Sequence, residues 1–184
     1  MMKIIETALP GVLIFEPRVF GDARGFFVET YRAEWLLQAQ IDVRLIQDNQ
    51  SRSRKGVLRG LHYQLEHTQG KLVRVSRGAV FDVAVDVRRG SPNFGKWEGA
   101  VLDDVSHRQL YVPPGFAHGF CVLSEEADFN YKCTDYWHPQ SENGIAWNDP
   151  AVGIQWPDIG QPWMLSDKDR LLPKLADQTN LPPY

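Results

Sequence analysis

The sequence predicts a mostly β protein, a sandwich or a barrel, and three observations predict it. Nine short runs rich in β-branched and aromatic residues follow one another along the chain. Gly, Pro and Asp punctuate them at the short intervals that a many-stranded antiparallel architecture needs for its turns. One run also alternates cleanly, with Phe81, Val83, Val85 and Val87 on one face and Asp82, Ala84, Asp86 and Arg88 on the other.

In chain order the strand-like runs are GVLIFEPRVF (11–20), RGFFVETY (24–31), VRLIQDNQS (43–51), VLRGLHYQ (57–64) and KLVRVSRG (71–78). AVFDVAVDVRR (79–89), RQLYVPPG (108–115), AHGFCVLS (117–124) and DFNYKCTDYW (128–137) complete them. Helical pattern is scarce. AEWLLQAQ (33–40) is one short candidate, and a second begins near Ser166, where Ser166 and Asp169 have the spacing of a capping box. Pro173 should stop that helix early. The closing LPPY reads as a tail, and the chain carries no internal repeat and no low-complexity stretch.

Length and composition bound the function. The 184 residues form one domain, 1–184, with nothing resembling a linker. No stretch approaches the roughly 18 apolar residues of a membrane span, and MMKIIETALPG lacks the apolar run of a signal peptide, so a cytoplasmic protein without a membrane partner is expected. Cys121 and Cys133 sit in apolar strand runs without CxxC spacing and read as buried free thiols. A net charge of −3 argues against a nucleic-acid partner.

Charge is nevertheless uneven. Between Arg52 and Arg77 stand seven basic residues and one acid, Glu66, with His62 in their midst. An imidazole, with an unperturbed pKa near ~6.5, can accept a proton at neutral pH, and surrounding cations suit an anionic substrate. The plainer alternative is a solvated basic edge strand.

Two motifs add to this. Gly56, then His62 and Gln64, and later Pro113-Pro114-Gly115-Phe116-Ala117-His118, resemble the paired motifs of the cupin superfamily, whose members are small jelly-roll β-barrels. The resemblance implies a cupin-type jelly-roll β-barrel with a few short peripheral helices. In metal-binding cupins the first motif supplies His-x-His and a Glu; here Gln64 replaces the second His, and the Glu position falls at Thr68 or Gln69. No metal is therefore expected at that site.

A more specific resemblance runs from about Thr7 to Asp169 and rests on FGDARGFF (20–27), QDN (47–49), VLRGLHYQ, QGKLVR (69–74), PPGFAHGF (113–120), NYKCTDYW (130–137), SENGIAWND (141–149) and LSDKD (165–169). Together these resemble the dTDP-4-dehydrorhamnose 3,5-epimerase family. The resemblance implies an isomerase that epimerises dTDP-4-dehydro-6-deoxy-D-glucose at C3 and C5 without a cofactor, as a homodimer. It also implies roles. His62 would be the base, Tyr131 the acid on the opposite sugar face, Asp169 the carboxylate that orients His62, and Lys71 the cation near the C4 oxygen. Substrate contacts would come from Arg24, Glu29, Gln47, Asp48, Asn49, Arg59, His118, Trp137, Glu142 and Lys168, some of them reaching a neighbouring subunit's pocket. Trp137 falls where many members carry a base-stacking tyrosine, and indole stacks at least as well. Each residue has a structural alternative: His62 a hydrogen-bonded core histidine, Tyr131 a core aromatic, Asp169 a helix cap, Lys71 and Arg59 edge charges. Alternatives for the whole protein are an epimerase acting at C3 or C5 alone, a silent sugar-nucleotide-binding cupin, and a metal cupin such as a dioxygenase.

One geometric tension stands out. In a regular strand Arg59 and His62 face opposite sides of the sheet. A bulge at Gly60 would resolve it, as would service of Arg59 in a neighbour's pocket.

Overall fold

The computed structural model describes residues 2–184. A six-stranded sheet takes the order β1 (Lys3–Glu6), β2 (Leu13–Glu16), β10 (Gln109–Val112), β7 (Lys71–Arg77), β12 (Glu126–Cys133), β5 (Gln47–Arg54). A five-stranded sheet takes the order β13 (Glu142–Gly144), β6 (Leu58–Gln64), β11 (Phe116–Val122), β8 (Ala79–Asp86), β9 (Trp97–Asp103). All strand pairings within them are antiparallel. The two sheets close on each other as the expected jelly roll. A separate hairpin, β3 (Val19–Asp22) and β4 (Gly25–Val28), stands apart from both.

Alternation along the strands sorts the side chains into three apolar layers. Between the sheets lie Val73, Val75, Val80, Leu110, Phe120 and Phe129, with the Phe120 and Phe129 rings from opposite sheets stacked at 4.0 Å. Outside the five-stranded sheet, Leu61, Tyr63, Val83 and Val85 are covered by Ile145, Val152 and Leu175 of the C-terminal third. Outside the six-stranded sheet, Phe15, Leu72 and Tyr111 are covered by Trp35 and Leu36 of helix α1 (Ala33–Gln38). The alternation of β8 is thus real, but both of its faces are buried: Val83, Val85 and Val87 look outward under the C-terminal segment, and Asp82 looks into the barrel.

Most expected elements are present. Helix α1 ends at Gln38, just before Gln40 adopts φ 59°. Helix α2 (Asp167–Arg170) starts at an N-cap Ser166, whose Oγ accepts the Asp169 N–H at 3.1 Å. Strands β1, β9 and β13 go beyond the expectation. In β9, Gly99 interrupts the apolar run because the Phe81 ring fills its side-chain space, so that a Cβ there would lie 2.4 Å from Phe81 Cζ. The LPPY end is not a loose tail: Leu181 packs under the five-stranded sheet, the Arg89 N–H donates to Pro182 O at 2.8 Å, and Arg88 lies between the Phe116 and Tyr184 rings. Cys121 and Cys133 are buried free thiols, as expected. Among the described residues no helix is long and apolar enough to cross a membrane.

Candidate active site

The barrel opens into two adjoining cavities of about 490 and 680 Å³, and His62, Lys71 and Tyr131 line both. His62 rises from β6 of one sheet; Lys71 and Tyr131 rise from β7 and β12 of the other. The base candidate and the acid candidate therefore stand on opposite walls.

His62 Nε2 meets Asp169 Oδ1 at 2.7 Å, leaving Nδ1 for the cavity. Asp169 is buried, and its other oxygen accepts the Gly60 N–H at 3.4 Å. Burial alone would raise this carboxyl, but the His62 hydrogen bond and charge, with Gly60 N–H and Ser166 Oγ, hold it below the usual carboxylate range. The capping alternative is met by the backbone: Ser166 caps the Asp169 N–H, while the carboxylate turns to His62.

Beside His62 on the next strand is His118, its direct cross-strand partner. His118 Nε2 contacts both oxygens of Asp82 at 2.9 and 3.0 Å. Asp82 is fully enclosed, and burial pushes its carboxyl up against the pull of His118 and Lys71. Burial likewise pushes the Lys71 ammonium down, with Cys133, Asp82 and Glu142 acting the other way. A cation partly withdrawn from water gains more from a developing anion than a fully solvated one would. Burial raises the Tyr131 hydroxyl, Cys133 and Glu142 reinforcing it and Arg59 opposing it, so Tyr131 is a protonated donor at neutral pH.

The bulge anticipated at Gly60 is present. His62 pairs with His118 but Arg59 with Phe120, so β6 uses three residue steps where β11 uses two. Arg59 and His62 consequently line the same cavity, and Arg59 donates to Ser53 Oγ through Nε at 3.2 Å and Nη2 at 3.0 Å. The sequence permits this because two glycines meet back to back. Gly60 has φ +120°, and a Cβ on it would stand 2.7 Å from Gly119 Cα.

The remaining candidates divide. Gln47, Asn49, Trp137 and Glu142 line the larger cavity, with Gln47 Oε1 accepting the Trp137 N–H at 2.8 Å. Lys168 lines the smaller one and reaches Glu142 at 2.7 Å across the rim. That contact, with His62, outweighs the raising effect of burial and keeps Glu142 below its usual range. Asp48 is not brought in: it has the opposite parity on β5 and pairs with Lys132 at 2.6 Å on the outer face. Arg24 and Glu29 are not brought into their own chain's cavities either. Arg24 pairs with Asp22 on the exposed hairpin, and Glu29 with Arg32. Asp82, Ser53, Phe120 and Phe129 were not among the sequence candidates; Ser53 could have been found by following Gln47 and Asn49 two and four residues further along the β5 face.

The cupin metal set does not fit these residues. Gln64, in the position of the second imidazole, has its amide engaged elsewhere: Nε2 donates to His67 O at 2.6 Å and Tyr136 O at 3.1 Å, and Oε1 accepts the His138 N–H at 2.7 Å. His62 and His118 are each turned to a carboxylate.

A jelly-roll cupin with an imidazole–carboxylate pair facing a half-buried tyrosine across one cavity has the groups that acid–base chemistry needs. The sequence profile of dTDP-4-dehydrorhamnose 3,5-epimerase matches residues 6–177. The enzyme of that name from Neisseria gonorrhoeae is 58% identical over 168 residues, which are 91% of this chain and 51% of that longer protein, so the chain spans about half its length. A dTDP-6-deoxy-D-glucose-3,5-epimerase from Legionella pneumophila, solved with dTDP-4-keto-L-rhamnose, is 52% identical with a TM-score of 0.96, covering 100% of this chain and 99% of its own. A 3'-monoepimerase from Streptomyces bikiniensis, solved with dTDP-quinovose, is 35% identical with a TM-score of 0.91, over 98% of this chain and 93% of its own. The chain belongs to the dTDP-4-dehydrorhamnose 3,5-epimerase family.

Proposed function

We propose that the protein epimerises dTDP-4-dehydro-6-deoxy-D-glucose at C3 and C5, giving dTDP-4-dehydro-L-rhamnose. The observation that carries this reading is the opposition of His62 and Tyr131 across one cavity, with Lys71 on its wall. Both reacting carbons flank the C4 ketone. In each half-reaction His62, oriented by Asp169, takes the proton from carbon, and the electron pair moves into an enolate whose charge gathers on the C4 oxygen near Lys71. Tyr131 then gives its proton to the other face of the same carbon, which inverts it. Return of the proton by His62 to the face it left would restore the starting configuration. Bulk water resets both groups between the two inversions.

Arg59, Ser51 and Lys168 suit the diphosphate and sugar, and Gln47, Asn49 and Trp137 suit the base; Arg is favoured because its planar fork meets phosphate oxygens in pairs. Trp137 is 57% exposed, as a stacking surface for a planar ligand should be. The working unit is a homodimer. Phe26 and Phe27 are 61% and 69% exposed on the β3–β4 hairpin, an apolar patch that a second copy would cover, delivering Arg24 and Glu29 to the partner's cavity. A dTDP-sugar substrate accords with a cytoplasmic setting.

The test is incubation with dTDP-4-dehydro-6-deoxy-D-glucose in D₂O, with deuterium read at C3 and C5 by NMR. Label at both carbons with an L-rhamno product is expected. Label at one carbon alone would instead establish the single-position epimerase that the monoepimerase relative exemplifies. Binding without label would overturn catalysis altogether.

A further inference from the structure

Outside the acid–base site, two loops bring His67, Asp135 and His138 together. One ligand atom from each lies within 4.8 Å of the others. The imidazole rings of His67 and His138 stack at 3.9 Å, 13° from parallel, and His67 Nδ1 stands 3.3 Å from Asp135 Oδ2. We propose that His67, Asp135 and His138 form a binding site for one late first-row divalent cation of the zinc class, distinct from the barrel cavity.

Three features support it. The donor set, two imidazoles and one carboxylate, is the set that zinc takes with water completing its four positions, and the nitrogen donors select against magnesium and calcium. The site is reachable, since the His67 side chain is 50% exposed and Asp135 is 33% exposed. Most importantly, the loops are braced independently of any ion. The Gln64 amide ties His67 O, Tyr136 O and the His138 N–H together, Gln69 Nε2 donates to Asp135 O at 2.8 Å, and the Gly70 N–H donates to Thr134 Oγ1 at 2.8 Å. Backbone positions of all three donors are therefore fixed, and only rotation of one exposed and one half-buried imidazole is needed to turn their nitrogens to one point. Gln64, unable to serve as a cupin ligand, thereby holds a different ligand set together. Tyr136 and Trp137 lie between Asp135 and His138 in sequence and line the larger cavity, so an ion at this site would stiffen the wall of that cavity.

The test is calorimetric titration of chelator-treated full-length protein with ZnCl₂, comparing wild type with His67→Ala, His138→Ala and Asp135→Asn, and with His107→Ala as a control. Unchanged circular dichroism and melting without metal would show that each variant is folded. The expected result is one zinc per chain, weakened tenfold or more by either histidine substitution and by Asp135→Asn, and unaffected by His107→Ala. Absence of binding at millimolar zinc would overturn the proposal, as would wild-type affinity in the His67 and His138 variants. Binding removed only by His62→Ala or His118→Ala would also overturn it, because the ion would then sit in the barrel.

Discussion

Replacing Asp169 by Asn should lower epimerase turnover by about 10²-fold or more while leaving the protein folded. The size of the effect follows from the two contacts of the carboxylate. One oxygen receives the proton-bearing Nε2 of His62 at 2.7 Å, and the other receives the Gly60 N–H at 3.4 Å. An amide cannot do both. If its oxygen faces His62, its NH₂ confronts the Gly60 N–H, two donors without an acceptor. If its oxygen faces Gly60, its NH₂ points at His62 Nε2, which must then give up its proton and accept, so that Nδ1 carries the hydrogen into the cavity. An Nδ1–H imidazole cannot accept the substrate's proton there. A 100-fold loss corresponds to about 2.7 kcal/mol of barrier, within the reach of one misplaced tautomer. The assay is initial deuterium incorporation at C3 and C5, with dTDP affinity measured alongside to show an intact pocket. Turnover within threefold of wild type, at unchanged dTDP affinity, would refute the orienting role of Asp169.

Three further outcomes are expected. Gly60→Ala, with its Cβ 2.7 Å from Gly119 Cα at φ +120°, should cost about 1–3 kcal/mol in urea unfolding and weaken substrate binding by disturbing Arg59. Trp137→Ala should weaken dTDP binding about tenfold or more, given about 1–3 kcal/mol per stacked base, with little change in kcat. Asp86 is fully buried; burial pushes its carboxyl up, but Arg88 and Ser91 more than offset this and leave it lowered. A lowered carboxyl contributes stability that is present above its unfolded pKa near ~3.9 and disappears as pH falls through the folded value. Asp86→Asn should therefore destabilise by about 1.5–3 kcal/mol at pH 7, and the difference from wild type should shrink below pH 4 in melting experiments.

The fold was largely legible because its strands are short, separated by Gly and Pro, and mostly apolar. Strand β9 escaped because Gly99 and two polar residues dilute its pattern, and its place is fixed by the Phe81 ring on the neighbouring strand. The alternation of β8 gave the faces of that strand but not their direction. A barrel that buries a carboxylate inside and valines outside inverts the usual inference, and only the covering C-terminal segment explains it. In the site, motif resemblance led to His62, Lys71, Tyr131 and Asp169, which line one cavity although more than a hundred residues separate the first from the last. Strand parity could have set Asp48 apart from Gln47 and Asn49, since alternate residues face opposite ways. Arg24 and Glu29 were named by the resemblance alone, and strand parity says nothing of them because they lie on or beside a hairpin apart from both sheets.

The extra residue in β6 acts as a phase shift in the wall of the barrel. Upstream of it the inward-facing set includes Arg59; downstream it includes His62. Were the chain to run through Gly60 as a regular strand, without the bulge and with the upstream half held in place, every later residue of the strand would turn over. Leu61 and Tyr63, now sealed beneath the C-terminal segment, would line the opening, and the imidazole would be driven into the apolar layer behind it. Loss of that one irregularity would thus exchange a reactive lining for an oily one without changing the sheet order, and the character of this wall depends on its being one residue out of step with its neighbour.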